Sequence, residues 1–546
     1  HSVTGRIIPV YRVNAGLNQR TMLQSVRQGL DECGNLIEDV LPDVLRCRCK
    51  LVQARYAYEN IHFPSDFGAL ELARQRFIFE EFFVLACALN KMRGERVEQG
   101  GIVMDGADAE AFFASLPFPP TGAQRRAVTQ AINDMRSGRV MNRLLQGDVG
   151  SGKTLVAAAL IWYVWKCGFT SAFMAPTEIL AEQHFLTLNS LFSPFGLRVA
   201  RLTGAMTAKE KREVKAALAA GSIDLIVGTH ALFSTDVEYS RLGLVVTDEQ
   251  HRFGVAQRSA LIGKGQKPHV LVMSATPIPR TLALIIYGDL DVSVLDELPP
   301  GRQKVDTFAV GESYRARLNN FIRRLVGEGR QVFVVCPMVE ENDELPVKLK
   351  SAEEHAKELA AAFPDLRVGC VHGRMKAKDK DRIMADFAAG ELDILVSTTV
   401  IEVGVDVPNA ALMIVENAER FGLSQLHQLR GRVGRGQHKS YCVLVSDADG
   451  EEVKSRLGIM VKTNDGFKIS EEDLRLRGPG DFFGSRQHGL PEMHVADLGA
   501  DVNVLKSAQD EAQRLLKDDP ALTKPEHRAL RERIDRLFSA NSDSFN

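Results

Sequence analysis

The hydrophobic pattern alternates between short apolar runs and longer amphipathic stretches over most of the chain. Apolar runs of this length suit strands that are buried on both faces, and the stretches between them suit helices. The runs between 116 and 295 are SAFMAP (171–176), DLIVGT (224–229), LGLVVTDE (242–249) and VLVMSAT (270–276). Those between 303 and 448 are QVFVVCP (331–337), LRVGCVHG (366–373), DILVSTT (393–399), ALMIVE (411–416) and SYCVLVS (440–446). The pattern predicts an α/β protein with two parallel-sheet lobes.

The segments before, between and after these two sets of runs lack the alternating pattern. The chain is therefore predicted to have four parts. Residues 1–115 are helix-rich, and the longest periodic stretch (66–93) spaces its apolar residues as one buried helix. LPFPPTGAQ (116–124) opens the first lobe (116–295), and the Pro-Pro-Gly of LDELPPGRQ (295–303) predicts a linker to the second lobe (296–448). Residues 449–546 form a Gly-rich, then charged helical, C-terminal extension.

Composition narrows the class of protein only slightly. The 546 residues are 45% hydrophobic and 25% charged, which is typical of a soluble globular protein. A net charge of −2 gives no global attraction to nucleic acid, so such contacts must be local. The eight cysteines include one close pair, Cys47 and Cys49, without a second pair for zinc, which favours reduced thiols in a cytosolic protein. No apolar run reaches the ~18 residues of a membrane span, and we expect none.

GDVGSGKT (147–154) matches the phosphate-loop pattern G-x-x-x-x-G-K-[ST] without a gap. Its glycines, Gly147, Gly150 and Gly152, allow the tight turn that directs backbone N–H groups at an anion. Lys153 can reach the β- and γ-phosphates, and the Thr154 hydroxyl can bind Mg²⁺. An apolar stretch precedes the loop and a helix-like run follows it, which favours an ATP and Mg²⁺ site over an unrelated Gly-rich turn.

Three further segments carry residues that suit a nucleotide site. Asp248 and Glu249 end an apolar run, where Asp248 is placed to bind Mg²⁺ and Glu249 to orient or deprotonate the attacking water. SAT (274–276) ends another run and could couple the acidic pair to neighbouring loops. Upstream, Gln124 can pair with an adenine edge and Phe118 can stack on the base, although an ordinary surface glutamine is an equal alternative.

The second lobe supplies candidate arginines. In QLRGRVGRG (428–436), Arg432 and Arg435 are three positions apart, which on a helix would place them on one face. Guanidinium groups suit the charge of a transferring phosphoryl group, so both are predicted to reach across a cleft to the nucleotide. The alternative is a solvated helix face.

Other loops after apolar runs suit a sugar-phosphate polymer, because hydroxyl and N–H groups and arginines bind phosphates without reading sequence. Asp406, in TTVIEVGVDVP (398–408), is also a candidate contact for the nucleotide ribose. The candidate polymer contacts are Thr177 (APTEIL), Thr229 (GTH), Arg374 (HGRM) and Thr399.

Together, in this order, these motifs resemble those of superfamily 2 helicases. DEQHRFGVAQR (248–258), SATPIPRTLAL (274–284), LDELPPGR (295–302) and TNDGFKISEEDLRLRGPGDFFGSRQHG (463–489) narrow the resemblance to the RecG family of bacterial branched-DNA translocases. The resemblance covers essentially the whole chain. It implies two RecA-like lobes, ATP hydrolysis, translocation on duplex DNA, and action on stalled forks and Holliday junctions in recombination and repair. It also implies a monomer in the bacterial cytoplasm, associated with the nucleoid, with single-strand DNA-binding protein as a partner.

The resemblance carries two expectations about the ends of the chain. Family members have an oligonucleotide-binding wedge domain before the motor, and this chain starts near PVYRVNAGL (9–17), so we expect most of the wedge to be missing. The C-terminal block resembles the translocation motif that the family shares with the transcription-repair translocase Mfd. By matching residues, Arg456, Arg477 and Gln487 would couple closure of the motor to movement along DNA.

Three alternatives remain open from the sequence. An Mfd-like translocase would bind stalled RNA polymerase, although the upstream segment matches the RecG family better. A DEAD-box RNA helicase would prefer RNA, but DEQH stands in place of DEAD. A non-enzymatic nucleic-acid scaffold would not need Lys153, Asp248, Glu249, Arg432 and Arg435 together.

Overall fold

The chain divides into two compact units. The first comprises His1–Glu98, Arg280–Asp289 and Leu474–Asn546, and the second comprises Gln99–Pro279 and Leu290–Asp473. The computed structural model describes residues 7–11, 18–97, 100–106, 108–234, 236–248, 267–274, 290–299, 303–337, 352–398, 407–436, 438–483, 493–498 and 500–540.

The helices of the described residues lie in all four of the predicted parts of the chain. In chain order they are α1 (Gln19–Cys33), α2 (Asp43–Arg48), α3 (Ala54–His62), α4 (Phe67–Val97), α5 (Glu110–Ala114), α6 (Gly122–Arg136), α7 (Lys153–Lys166), α8 (Glu178–Phe192), α9 (Ala208–Ala219), α10 (Arg315–Gly327), α11 (Ala352–Ala362), α12 (Ala377–Ala388), α13 (Leu423–Arg430), α14 (Glu451–Lys462), α15 (Gly466–Phe483), α16 (Val502–Asp518) and α17 (Arg528–Ala540).

The strands lie between these helices, in the second unit. They are β1 (Asn142–Gly147), β2 (Thr170–Met174), β3 (Val199–Leu202), β4 (Leu225–Gly228), β5 (Leu242–Thr247), β6 (His269–Ser274), β7 (Asp291–Leu295), β8 (Val305–Val310), β9 (Gln331–Val335), β10 (Val368–Val371), β11 (Ile394–Ser397), β12 (Ala410–Val415) and β13 (Ser440–Val445).

The first unit is helical where it is described. Its longest helix, α4, packs against α3, α16 and α17. Residues 82–89 of α4 are apolar and buried all around the helix, because neighbouring helices cover several of its faces. The predicted long helix is therefore confirmed. No helix in the described part of the chain is both long and apolar enough to cross a lipid bilayer.

The second unit contains two parallel sheets, which confirms the predicted pair of RecA-like lobes. The first sheet has seven strands in the order β3-β4-β2-β5-β6-β1-β7, and the second has six in the order β10-β11-β9-β12-β13-β8. Among the described residues, all pairings between neighbouring strands of the two sheets are parallel. Strands β2, β4, β5 and β6 are buried along their whole length, as the predicted apolar runs require.

The sheet order brings the predicted motifs of the first lobe to one edge. β1 pairs with β6 so that Gln146 lies opposite Ser274, the first residue of SAT. β5 is the next strand beyond β6, so Asp248 follows a strand end two strand spacings, about 10 Å, from the end of β1. The carboxyl ends of parallel strands lie at the same edge of the sheet, which is where α/β proteins bind nucleotides.

Candidate nucleotide site

The phosphate loop runs from the end of β1 to the start of α7. Gly150 and Gly152 have φ angles of +74° and +83°, the left-handed region in which a side chain would be strained. The Lys153 ammonium donates hydrogen bonds to the carbonyl oxygens of Gly147 at 2.9 Å and Asp148 at 2.8 Å. The lysine is thereby held over the loop, where it can meet phosphate oxygens, and Thr154 follows it in the first turn of α7.

The Gln124 side chain forms a hydrogen bond to the phosphate loop. It forms a capping box with Thr121 at the start of α6, in which its Oε1 accepts the Thr121 N–H at 2.9 Å. Its Nε2 donates to the Ser151 carbonyl at 2.9 Å, and the side chain is only 2% exposed. A methyl group at Gly152 would collide with this amide. Gln124 therefore braces the loop, and its contact with adenine stays a prediction, as does stacking by the exposed Phe118.

Asp248 is held by a histidine that the sequence did not single out. The His184 Nε2 on α8 lies 2.9 Å from Asp248 Oδ2, and the His184 ring packs 4.6 Å from the Phe173 ring of β2. The Asp248 N–H donates to the Met174 carbonyl at 2.9 Å. A carboxylate and a threonine hydroxyl are the hard oxygen donors that Mg²⁺ prefers, so Asp248 and Thr154 suit this ion. Glu249 lies outside the described residues.

Replacing His184 with alanine is expected to lower ATP turnover about 10-fold or more at limiting Mg²⁺, because the Asp248 carboxylate loses the partner that orients it. The measurement is the steady-state ATPase rate over a range of Mg²⁺ concentrations. His184→Gln, which can still donate to Asp248, should restore part of the rate. Thr187→Ala, an exposed change on the same helix, serves as the control. An unchanged Mg²⁺ dependence in His184→Ala would contradict the positioning role.

The predicted helical arrangement of the two arginines is wrong. Helix α13 ends at Arg430, with Gly431 as its C-cap, and Gly434 has a φ of +80°. Gly434 adopts this left-handed conformation at little cost, so the helix does not continue through Arg435. Arg432 and Arg435 therefore lie in the turns beyond α13. Arg432 is 5% exposed, and Arg435 Nε donates to the Gly431 carbonyl at 3.3 Å.

The end of α13 lies directly against the phosphate loop. A methyl group at Gly431 would come within 2.7 Å of Val149 Cβ, so the Val149 side chain occupies the space that a side chain at 431 would need. The Asp148 carboxylate lies 2.5 Å from Nε2 of His427, and His427 Nδ1 lies 2.9 Å from Arg430 Nη2. The arginine-bearing segment of the second lobe and the phosphate loop of the first thus form one site.

Arg430 extends this contact away from the phosphate loop. Its Nη1 donates to the carbonyl oxygens of Met460 and Thr463, each at 2.9 Å, at the end of α14. Burial lowers the pKa of Arg430, and the charge of Asp148 counteracts this effect. Sequence reasoning missed Asp148, His427 and Arg430. The only local signal was the three-residue spacing of His427 and Arg430, which places both on one face of a helix.

The predicted polymer contacts differ in accessibility. Arg374 is exposed after β10. Thr177 is the N-cap of α8, and its hydroxyl accepts the Leu180 N–H at 3.4 Å. Thr229 is 2% exposed, which argues against direct contact with a phosphate in this conformation.

The remaining predicted residues are only partly described. Arg456 donates to the Glu419 carbonyl, so it ties α14 to the preceding part of the second lobe. Arg477 lies on α15, but its side chain is outside the described set. Asp406, Thr399 and Gln487 also lie outside the described residues.

Three family models match consecutive parts of the chain. They are the DEAD/DEAH box helicase model (residues 121–285), the helicase conserved C-terminal domain (315–437) and the C-terminal part of domain 3 of the ATP-dependent DNA helicase RecG (463–544). The last one covers much of the Gly-rich block and the charged tail that follow the second lobe.

Curated relatives and a solved structure extend the match to nearly the whole chain. It is 50% identical to the ATP-dependent DNA helicase RecG of Thermotoga maritima, over 93% of this chain and 66% of that protein. It is 46% identical to RecG of Bacillus subtilis, over 98% of this chain and 79% of that protein. A solved structure of RecG bound to a three-way DNA junction matches with a TM-score of 0.71 and 47% identity, covering 92% of this chain and 66% of that one. The chain spans about two thirds of the first relative's length, and it belongs to the RecG family of ATP-dependent DNA helicases.

Proposed function

We propose that this chain is an ATP-driven motor that translocates on duplex DNA and remodels branched DNA, such as stalled forks and Holliday junctions, in recombination and repair. The observation that carries the proposal is the direct contact between the phosphate loop of one lobe and the arginine-bearing segment of the other. A nucleotide in such a site would touch both lobes, so binding and hydrolysis could change how the lobes meet. The similarity to a RecG bound to a three-way junction supports branched DNA as the track.

In this proposal each site residue has a separate task. Lys153 and the loop N–H groups hold the β- and γ-phosphates, and Glu249 orients the attacking water. Mg²⁺ would be held by Thr154 and Asp248 and would neutralise phosphate charge as it develops. Arg432 and Arg435 stabilise the transferring phosphoryl group, because a planar guanidinium donates to two of its oxygens at once. Asp406 and Gln124 remain the proposed contacts to the ribose and the base.

The DNA contacts and partners follow from the same proposal. Arg374, Thr177 and Thr399 would bind the sugar-phosphate backbone, and Arg456, Arg477 and Gln487 would couple lobe closure to movement. Single-strand DNA-binding protein is the proposed partner at forks near the bacterial nucleoid, and the motor would act as a monomer. The match of residues 463–544 to a RecG domain favours this function over an Mfd-like role on stalled RNA polymerase.

The ATPase rate of the purified chain is expected to rise most with forked DNA, less with linear duplex and least with single-stranded DNA. The reason is that a duplex translocase hydrolyses ATP productively only when its track is bound. Steady-state turnover with the three DNAs at equal nucleotide concentration, and with RNA of the same sequence, gives the comparison. Greater stimulation by RNA than by any DNA, or equal rates with and without nucleic acid, would refute the proposal.

A further inference from the structure

The contact between Asp148 and His427 has a defined hydrogen-bond direction. An arginine can only donate, so the Nδ1 of His427 that faces Arg430 must accept. A neutral imidazole that accepts at Nδ1 carries its proton on Nε2, and this N–H donates to the Asp148 carboxylate. His427 is 3% exposed. One buried histidine therefore joins a carboxylate on the phosphate loop to a buried cation in the second lobe.

Asp148 is also bound to the residues that would hold the nucleotide. Its carboxylate accepts the Val149 N–H at 2.7 Å, and its carbonyl accepts the Lys153 ammonium at 2.8 Å. Phosphate oxygens compete with this carbonyl for the ammonium, because a charged acceptor forms the stronger hydrogen bond. Nucleotide binding must therefore change the contacts of the residue to which His427 is bonded.

The contacts on the second-lobe side of His427 are also constrained. Gly431 packs beside Val149, where an added methyl group would come within 2.7 Å of Val149 Cβ, so a shift of the loop toward α13 acts on the end of that helix. Arg430 in turn donates to the Met460 and Thr463 carbonyls, so a displacement of His427 disturbs the end of α14. Buried hydrogen bonds of this kind transmit a shift because each group is costly to leave unpaired.

We propose that His427 is a positioning residue that reports the state of the phosphate loop to the second lobe through its bonds to Asp148 and Arg430. The inference rests on the proposed function and adds a residue through which ATP turnover is coupled to movement. It concerns how much DNA movement each ATP hydrolysis produces, because His427 is not placed to contact the phosphates themselves.

The test measures DNA translocation per ATP hydrolysed. A third strand annealed to duplex DNA reports translocation by its displacement, and phosphate release reports hydrolysis in the same reaction. His427→Phe keeps an aromatic ring but removes both hydrogen bonds, and is expected to lower the ratio of displacement to hydrolysis about 10-fold or more. His427→Gln retains one donor and one acceptor and should stay within about threefold of the wild type.

The controls separate coupling from stability. Asp148→Asn preserves shape but removes the charge, and should lower the ratio in the same direction as His427→Phe; it decides the matter if His427→Phe does not fold. Arg198→Ala, which breaks a surface ion pair with Asp224 in the first lobe, should leave the ratio unchanged.

Two outcomes distinguish the inference from the proposed function. If the wild-type chain neither displaces the third strand nor responds to DNA, the proposed function itself fails. If the wild type does both and neither His427→Phe nor Asp148→Asn changes the ratio, the inference alone fails. Equal ratios for His427→Gln and His427→Phe, both well below the wild type, would also overturn it, because hydrogen bonding would then not matter.

Discussion

Replacement of Lys153 with alanine is expected to reduce ATP turnover by about 1,000-fold, because in the proposed site its ammonium neutralises the β- and γ-phosphates as charge develops. In the structure this ammonium donates hydrogen bonds to the carbonyl oxygens of Gly147 and Asp148 in its own loop. Alanine is a good helix former at the first position of α7. The loss should therefore appear in catalysis rather than in folding, and phosphate release with saturating DNA measures it.

The matched control for Lys153 lies in the same helix. Lys166→Ala removes an exposed lysine from the last turn of α7, where the ammonium lies over the rings of Trp162 and Trp165. We expect this variant to retain wild-type turnover. Full turnover by Lys153→Ala, with normal thermal unfolding, would invalidate the assignment of the nucleotide site.

Replacement of Arg432 with alanine is expected to lower the maximal ATPase rate by about 1,000-fold while changing nucleotide affinity much less. The physical reason is that a guanidinium stabilises the transferring phosphoryl group mainly in the transition state. Arg432→Lys should remain strongly impaired, because a lysine presents a single point charge instead of a planar fork of donors. The measurement is single-turnover hydrolysis together with binding of a fluorescent nucleotide.

Two comparisons make the Arg432 result specific. Arg324→Ala changes an exposed arginine of α10 in the same lobe and should have no effect. Thermal unfolding of Arg432→Ala checks that the loss of a mostly buried side chain has not disrupted the lobe. If Arg435→Ala is inactive and Arg432→Ala retains the wild-type rate, Arg435 is the catalytic residue.

The sequence predicted the central strands better than the edges of the sheets. Strands such as β5 and β6 are covered on both faces, so they appear as unbroken apolar runs. Strands β7 and β8 were missed. Both are edge strands that mix buried with more exposed residues. Their short, mixed patterns resemble those of loops.

The candidate site was predicted where the chemistry is contiguous in the chain. GDVGSGKT specified its own loop and helix, and the structure has both. The contacts of His184 with Asp248 and of His427 with Asp148 join residues far apart in sequence, and no local pattern encodes such pairings. The helix predicted through Arg432 and Arg435 does not form. The prediction gave the three-residue spacing of the arginines more weight than the glycines at 431 and 434.

The approach of Gly431 to Val149 restricts how these two positions can vary in evolution. Any side chain at 431 would overlap the β-carbon at 149 and force the loop and helix apart. A residue other than glycine at 431 is therefore accepted without such a shift only in a background with glycine at 149, because every other residue there keeps the β-carbon. The two lobes, although built from separate sheets, must share part of their mutational history.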